Sequence, residues 1–248
     1  MRFNIKLKLK GGEGARRETG ICKKLCSAIL IASFVFCPAA KAEALVSRYA
    51  VSLSGIHIGD AIVRATLSAK RYKVTLSADV AILLVSTKIQ GEATGARSGV
   101  KLTPEHFQMV ATGGEESAVD IRFLDSKATG AKTLPQLRGF FDPLSAVLLT
   151  SLRPAKPAHP CNNVLPIVLG RNRFDMALRL KTATESPGEP ATVTCQVIPS
   201  VSGPRDEPWE IGFKKLSKPH FWLVEHVSLP THNGTMTVER AETAVSGS

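Results

Sequence analysis

Residues 49–67, YAVSLSGIHIGDAIVRATL, decide the fold. From Tyr49 to Gly55 apolar residues alternate with small polar ones, and after the glycine the run resumes from Ile56 to Leu67. A period of two sends successive side chains to opposite faces of a strand, so each run buries one face and wets the other. Two such runs joined by a glycine read as a pair of antiparallel strands.

The same rhythm extends down the chain. Tyr72–Val80, Thr87–Ala93, His106–Ala111 and Ala118–Leu124 alternate in the same way. Gly91, Gly95, Gly99, Gly113-Gly114 and Gly130 read as the breaks between runs. Val164–Leu169, Phe174–Leu180, Ala191–Pro199, Trp209–Phe213 and Phe221–Val227 follow. Residues 227–241 read as a hairpin turned at Asn233-Gly234, a strong short-range turn signal. Asn233-Gly-Thr235 also fits a glycosylation sequon, but turn chemistry explains it better.

One segment departs from this pattern. Asp142-Pro143 places an N-cap carboxylate before a proline at the first helical position, and Leu144–Leu152 are helix formers. A short helix is predicted here, with Leu144, Val147, Leu148 and Ser151 on one face. Arg153–Pro160 is proline-rich and reads as an extended connector. The fold expected is all-β: a strongly curved antiparallel sheet or incomplete barrel of about a dozen strands with one short helix. A two-sheet β-sandwich is the alternative. The domain reading is a leader over 1–42, a single β-rich domain over 43–244 and a flexible tail over 245–248.

The leader carries its own chemistry. Arg2, Lys6, Lys8, Lys10, Arg16, Arg17, Lys23 and Lys24 precede an apolar run from Leu25 to Cys37, and Ala40-Lys41-Ala42 follows. A basic start, a short apolar centre and an A-x-A site define a secretory signal peptide. The run is short of the roughly 20 residues that span a bilayer. The expectation is therefore an exported, periplasmic protein cleaved near Ala42, with no transmembrane span left in the mature chain. The residues beside Cys37 and Cys26 do not form a lipidation site.

Removing the leader changes what the charge means. The whole chain has 32 Lys+Arg and 21 Asp+Glu, net +11; without residues 1–42 the balance is 23 against 19, net +4. The basic excess is mostly a targeting device, and two Trp and two Tyr are few aromatics for stacking on bases. Nucleic acid is not an expected partner. Cys22, Cys26 and Cys37 leave with the leader, so Cys161 and Cys195 remain as an even pair. In an oxidising compartment they read as a structural disulfide worth roughly 3–4 kcal/mol in the chain-entropy picture. A metal site or a catalytic thiol fits poorly, because neither cysteine has a His or second Cys at short ligand spacing.

Catalytic motifs are sparse: there is no G-x-S-x-G, H-E-x-x-H, P-loop or G-x-G-x-x-G pattern. No catalytic or metal-binding residue is assigned and no cofactor is expected. Ser145 in the first helical turn, His57 and Asp60 are the groups a hydrolase reading would use. His220 and His226 would share a strand face about 20 Å apart, too far for one metal ion. The more specific segment is Gly170-Arg-Asn-Arg-Phe-Asp175. Arg171, Arg173 and Asp175 at period two would lie along one strand face, either as a cross-strand ion ladder or as a grip on an anionic head group. They are the candidate ligand-binding residues.

Taken in order, these motifs resemble a known family. Tyr49…Gly55-Ile-His-Ile-Gly59, Asp142-Pro-Leu-Ser145, Cys161…Gly170-Arg-Asn-Arg-Phe-Asp175…Cys195 and Trp222-Leu…Pro230…Asn233-Gly-Thr235 cover nearly all of the mature chain. The order resembles the exported proteobacterial proteins called domain of unknown function 3108. That resemblance implies a periplasmic β-rich fold and supplies no established activity. The function expected is a non-enzymatic cell-envelope factor that binds an apolar or amphiphilic ligand, such as a lipid, or an envelope protein. A hydrolase or transferase acting on cell wall or lipid, and a purely structural assembly factor, are the alternatives.

Overall fold

The computed structural model describes residues 42–82, 85–113, 116–123, 137–152, 159–200, 208–216 and 221–246. Residues 1–41 of the expected leader, residues 153–158 of the connector, Gly114, Leu124, Gly130, His220 and the tail at 247–248 lie outside the described residues.

The N-terminal half is a meander of six strands: β1 (Glu43–Leu53), β2 (Ile56–Leu67), β3 (Arg71–Ile82), β4 (Val85–Ser98), β5 (Lys101–Thr112) and β6 (Ser117–Arg122). Helix α1 (Pro143–Ser151) follows, and a second meander completes the chain: β7 (Asn163–Leu169), β8 (Asn172–Thr184), β9 (Thr192–Pro199), β10 (Trp209–Lys215), β11 (Trp222–Thr231) and β12 (Gly234–Ser246). All twelve strands form one antiparallel sheet in the order β6-β5-β4-β3-β2-β1-β12-β11-β10-β9-β8-β7. A single sheet corrects the sandwich alternative. The first and last strands unite the halves, with Ala44 opposite Ser246 and Leu53 opposite Met236.

Helix α1 explains why the sheet curls. It touches β3, β4 and β5 in one meander and β7 and β11 in the other, so both halves wrap the same rod. The result is a nearly closed barrel whose seam lies between β6 and β7. Phe141 covers part of the β7 edge by a parallel bridge to Ile167: its N–H donates to the Pro166 carbonyl, and its own carbonyl accepts from the Val168 N–H. An edge that would otherwise present free backbone groups is thereby partly closed.

The alternation of the sequence becomes an inside and an outside. Tyr49, Val51, Ala61, Ala65, Val74, Phe107, Leu178, Val197 and Phe213 are buried inward. Each large apolar side chain so buried contributes roughly 1.5–3 kcal/mol. Outside, cross-strand ion pairs such as Arg71–Glu105, Lys73–Glu92 and Lys88–Asp79 decorate the sheet. Exposed pairs of this kind add little stability.

Two sequence readings need correction. Gly91 and Gly95 do not break a strand; both lie inside β4. Gly95 faces Tyr72 on β3, and a Cβ there would sit 2.5 Å from the Tyr72 ring. The glycine makes room for an aromatic ring lying flat on the sheet, which is a packing role. Arg171 does not lie on a strand. It forms the two-residue β7–β8 turn with Gly170, whose φ of 60° is left-handed, and Leu169 pairs with Asn172. The predicted helix and the Cys161–Cys195 disulfide are both present, the latter with Cα atoms 5.4 Å apart.

Candidate functional site

The interior of the sheet is not filled. Two apolar cavities flank helix α1, about 200 Å³ and about 370 Å³ in volume. Leu76, Leu144, Val147, Ile211 and Val227 line both, so the cavities are neighbouring lobes divided by one face of the helix. The smaller lobe runs along β1–β3 and β11, past Tyr49, Ala65, Leu67 and Trp222. The larger lies among β8–β11 and β5, past Met109, Phe174, Met176 and Trp209. Small residues on β2, Ala61 and Ala65, leave the smaller lobe open where larger side chains would close it. Leu144, Val147, Leu148 and Ser151, the helical face expected from sequence, all line that lobe.

A chain of buried polar groups fixes the helix between the lobes. Asp142 is fully buried as the N-cap, and its Oδ1 accepts from the Ser145 N–H at 2.8 Å. Pro143 has no N–H to leave unpaired at this end. The Ser145 and Tyr72 hydroxyls bond each other at 2.8 Å, both buried. The ring of Tyr72 reaches Ser145 from β3 because Gly95 lets it lie flat. Thr150 returns its hydroxyl proton to the Ala146 carbonyl, so it presents no unpaired donor to the larger lobe.

Burial dominates the electrostatics of this chain. It pushes the Asp142 carboxyl above the usual carboxylate range, against the lowering effect of the Ser145 hydrogen bonds. Burial likewise pushes the Tyr72 and Tyr49 hydroxyls up, each opposed by a serine hydrogen bond. A phenol held protonated is a poor base for Ser145. His57 and Asp60 stand elsewhere, exposed after the β1–β2 turn, with 4.0 Å between Nε2 and Oδ1. Two buried polar atoms near the lobes have no partner among the described residues: Asp142 Oδ2 and Trp222 Nε1.

The residues expected to bind a ligand lie on the wall. Phe174 and Met176 point into the larger lobe, so Arg173 and Asp175, which alternate with them on β8, belong to the opposite face. The Arg173 guanidinium lies over the Phe140 ring, 5.6 Å from its centre. The Asp175 N–H donates to the Ser200 hydroxyl at 2.9 Å. Arg171 is exposed in the β7–β8 turn, beside Leu169 at the margin of the larger lobe. The sequence reading did not single out Tyr72 or Trp222 for the site. Nothing local marks them, since their roles depend on which strand lies opposite.

Among the described residues no three His, Cys, Asp or Glu side chains gather to hold a metal ion, and no helix is long and apolar enough to cross a membrane. His226 packs its ring over Gly212 on β10. No curated protein and no solved structure matches the chain. The family described as "Protein of unknown function (DUF3108)" matches residues 48–238, from within β1 to within β12, and the chain belongs to that family.

Proposed function

We propose that this is an exported cell-envelope protein that holds the hydrocarbon part of an amphiphile, such as a lipid, inside its sheet. The observation that carries the reading is the pair of adjoining lobes, together about the size of a small-molecule site and lined almost wholly by aliphatic and aromatic side chains. A site with so few polar atoms offers nothing to orient a sugar, nucleotide or peptide. It rewards apolar surface removed from water. The polar end of such a ligand would stay at a margin, where Glu210 lines the larger lobe, Glu43 lines the smaller one and Arg171 stands exposed in the β7–β8 turn; Arg173 and Asp175, on the outer face of β8, would meet it only at the rim. The exported location rests on the leader of residues 1–42.

The test is native mass spectrometry of protein purified from the periplasm, with organic extraction of whatever it retains. Displacement of an environment-sensitive naphthylamine probe by long-chain amphiphiles gives a second readout. The expected result is a retained amphiphile and a probe signal that Val147→Trp abolishes, because Val147 lines both lobes. Protein that carries nothing, and a probe that never enters, would overturn the proposal.

A further inference from the structure

One end of the sheet gathers the starts of β1, β3 and β5 and the ends of β2, β4 and β12. The register fixes this, with Glu43 opposite Leu67, Leu67 opposite Tyr72, Arg71 opposite Ala96 and Ser98 opposite Lys101. The smaller lobe reaches this end, because Glu43, Leu67, Phe221 and Leu223 line it. Two turns project beside it: Ser68–Lys70 between β2 and β3, and Gly99-Val100 between β4 and β5.

Arg97 clamps these turns together. Its N–H donates to the Lys70 carbonyl at 2.8 Å, its Nε to the Gly99 carbonyl at 2.8 Å and its Nη1 to the Ser68 carbonyl at 3.2 Å. The clamped tip presents Val100, 50% exposed, flanked by the exposed ammonium groups of Lys70 and Lys101. Neither lysine has an ion-pair partner among the described residues, whereas neighbouring Arg71 is taken by Glu105. Across the mouth the β8–β9 turn carries Glu185 and Glu189. Lys214 and Lys215 finish β10 at this same end and Glu43 starts β1 there, so the two clamped turns carry their cations on a rim of mixed charge.

An apolar tip flanked by two exposed lysines, held rigid and set beside the mouth of an apolar cavity, fits a negatively charged bilayer surface. We propose that the β2–β3 and β4–β5 turns dock this end of the sheet onto anionic phospholipid. Lys70 and Lys101 meet the head groups, and Val100 enters the boundary between head groups and acyl chains. The purpose of docking rests on the amphiphile reading above; the docking itself is measured without it.

The experiment is co-sedimentation of the purified protein with phosphatidylcholine vesicles, with and without phosphatidylglycerol, at low and high salt. Binding to the anionic vesicles is expected, weakened by salt. Each lysine near an anionic surface is worth about a five-fold change in partition, so Lys70→Glu with Lys101→Glu should lower binding by at least about 25-fold. Val100→Ser should lower it less. Both variants lie on exposed turns, and an unchanged melting temperature confirms that they fold. Equal binding to neutral vesicles, or binding indifferent to the charge reversal, would overturn the proposal. Vesicle binding by protein that retains no amphiphile would sink the cavity reading and leave this one standing; the converse result would do the reverse.

Discussion

Cys161 and Cys195 join the start of the seam strand β7 to β9, bypassing β8, and both are buried. Replacing both with alanine reopens a loop whose ends are 34 residues apart in sequence. Loop closure of that length removes about 13 cal/mol/K from the unfolded chain, or about 4 kcal/mol at 25 °C. A domain of this size shifts its melting temperature by about 2–4 °C per kcal/mol, so the double variant should melt about 8–16 °C lower. Alanine is the right replacement, because serine would bury an unpartnered hydroxyl and confuse the measurement. Wild-type protein unfolded and refolded in reductant, which keeps both sulfurs but leaves the loop open, provides the comparison. Thermal unfolding followed by circular dichroism reads the shift. Hydrogen exchange reads where it acts: amides of β7 should lose protection before those shared by β1 and β12. A melting temperature within about 2 °C of the oxidised wild type would refute the reasoning.

Asp142→Asn keeps an oxygen to accept the Ser145 N–H but cannot ionise. Burial raises the folded carboxyl above its unfolded value, so the Asp142 contribution is fully present below the ordinary carboxylate range and is lost as pH rises through the folded value. The wild-type melting temperature should therefore fall relative to the asparagine variant from acid to neutral pH, and parallel pH profiles would contradict this. Asp142→Ala should cost about 1 kcal/mol in addition through the lost cap. Tyr72→Phe strands the Ser145 hydroxyl and should cost about 1–3 kcal/mol, much of it recovered in the double variant with Ser145→Ala; additive losses by denaturant titration would deny the coupling. Gly95→Ala would place a Cβ 2.3 Å from the Thr103 carbonyl oxygen, whereas at Gly91 the nearest atom, on Leu144, is 3.5 Å away. The first should destabilise strongly and the second hardly at all; equal melting temperatures would contradict that contrast.

The strands were legible because one buried face writes a period of two into the sequence, and the Asp142-Pro143 start of the helix was legible because caps are local chemistry. Adjacency was not. Alternation says which way Tyr49 points but not that β1 lies against β12, since both partners of β1 offer the same pattern. The interior glycines of β4 misled for a related reason. A glycine at a turn and a glycine under an aromatic ring look alike until Tyr72 is known to lie opposite Gly95. Arg171 shows the limit of register: the tight Gly170-Arg171 turn takes it off the strand while leaving Arg173 and Asp175 on it. The lobes themselves had no signature. They are space left between helix and sheet, and a sequence records the side chains present rather than the volume they fail to fill.

The pairing of β1 with β12 has a further consequence. Ala44 and Ser246 are Cα partners, so the two ends of the folded domain are direct neighbours across one strand spacing. A short linker could join them, and new ends could be cut into any exposed hairpin turn without breaking the order of the sheet. The same adjacency means that a nascent chain cannot unite its two meanders until its last strand has been made.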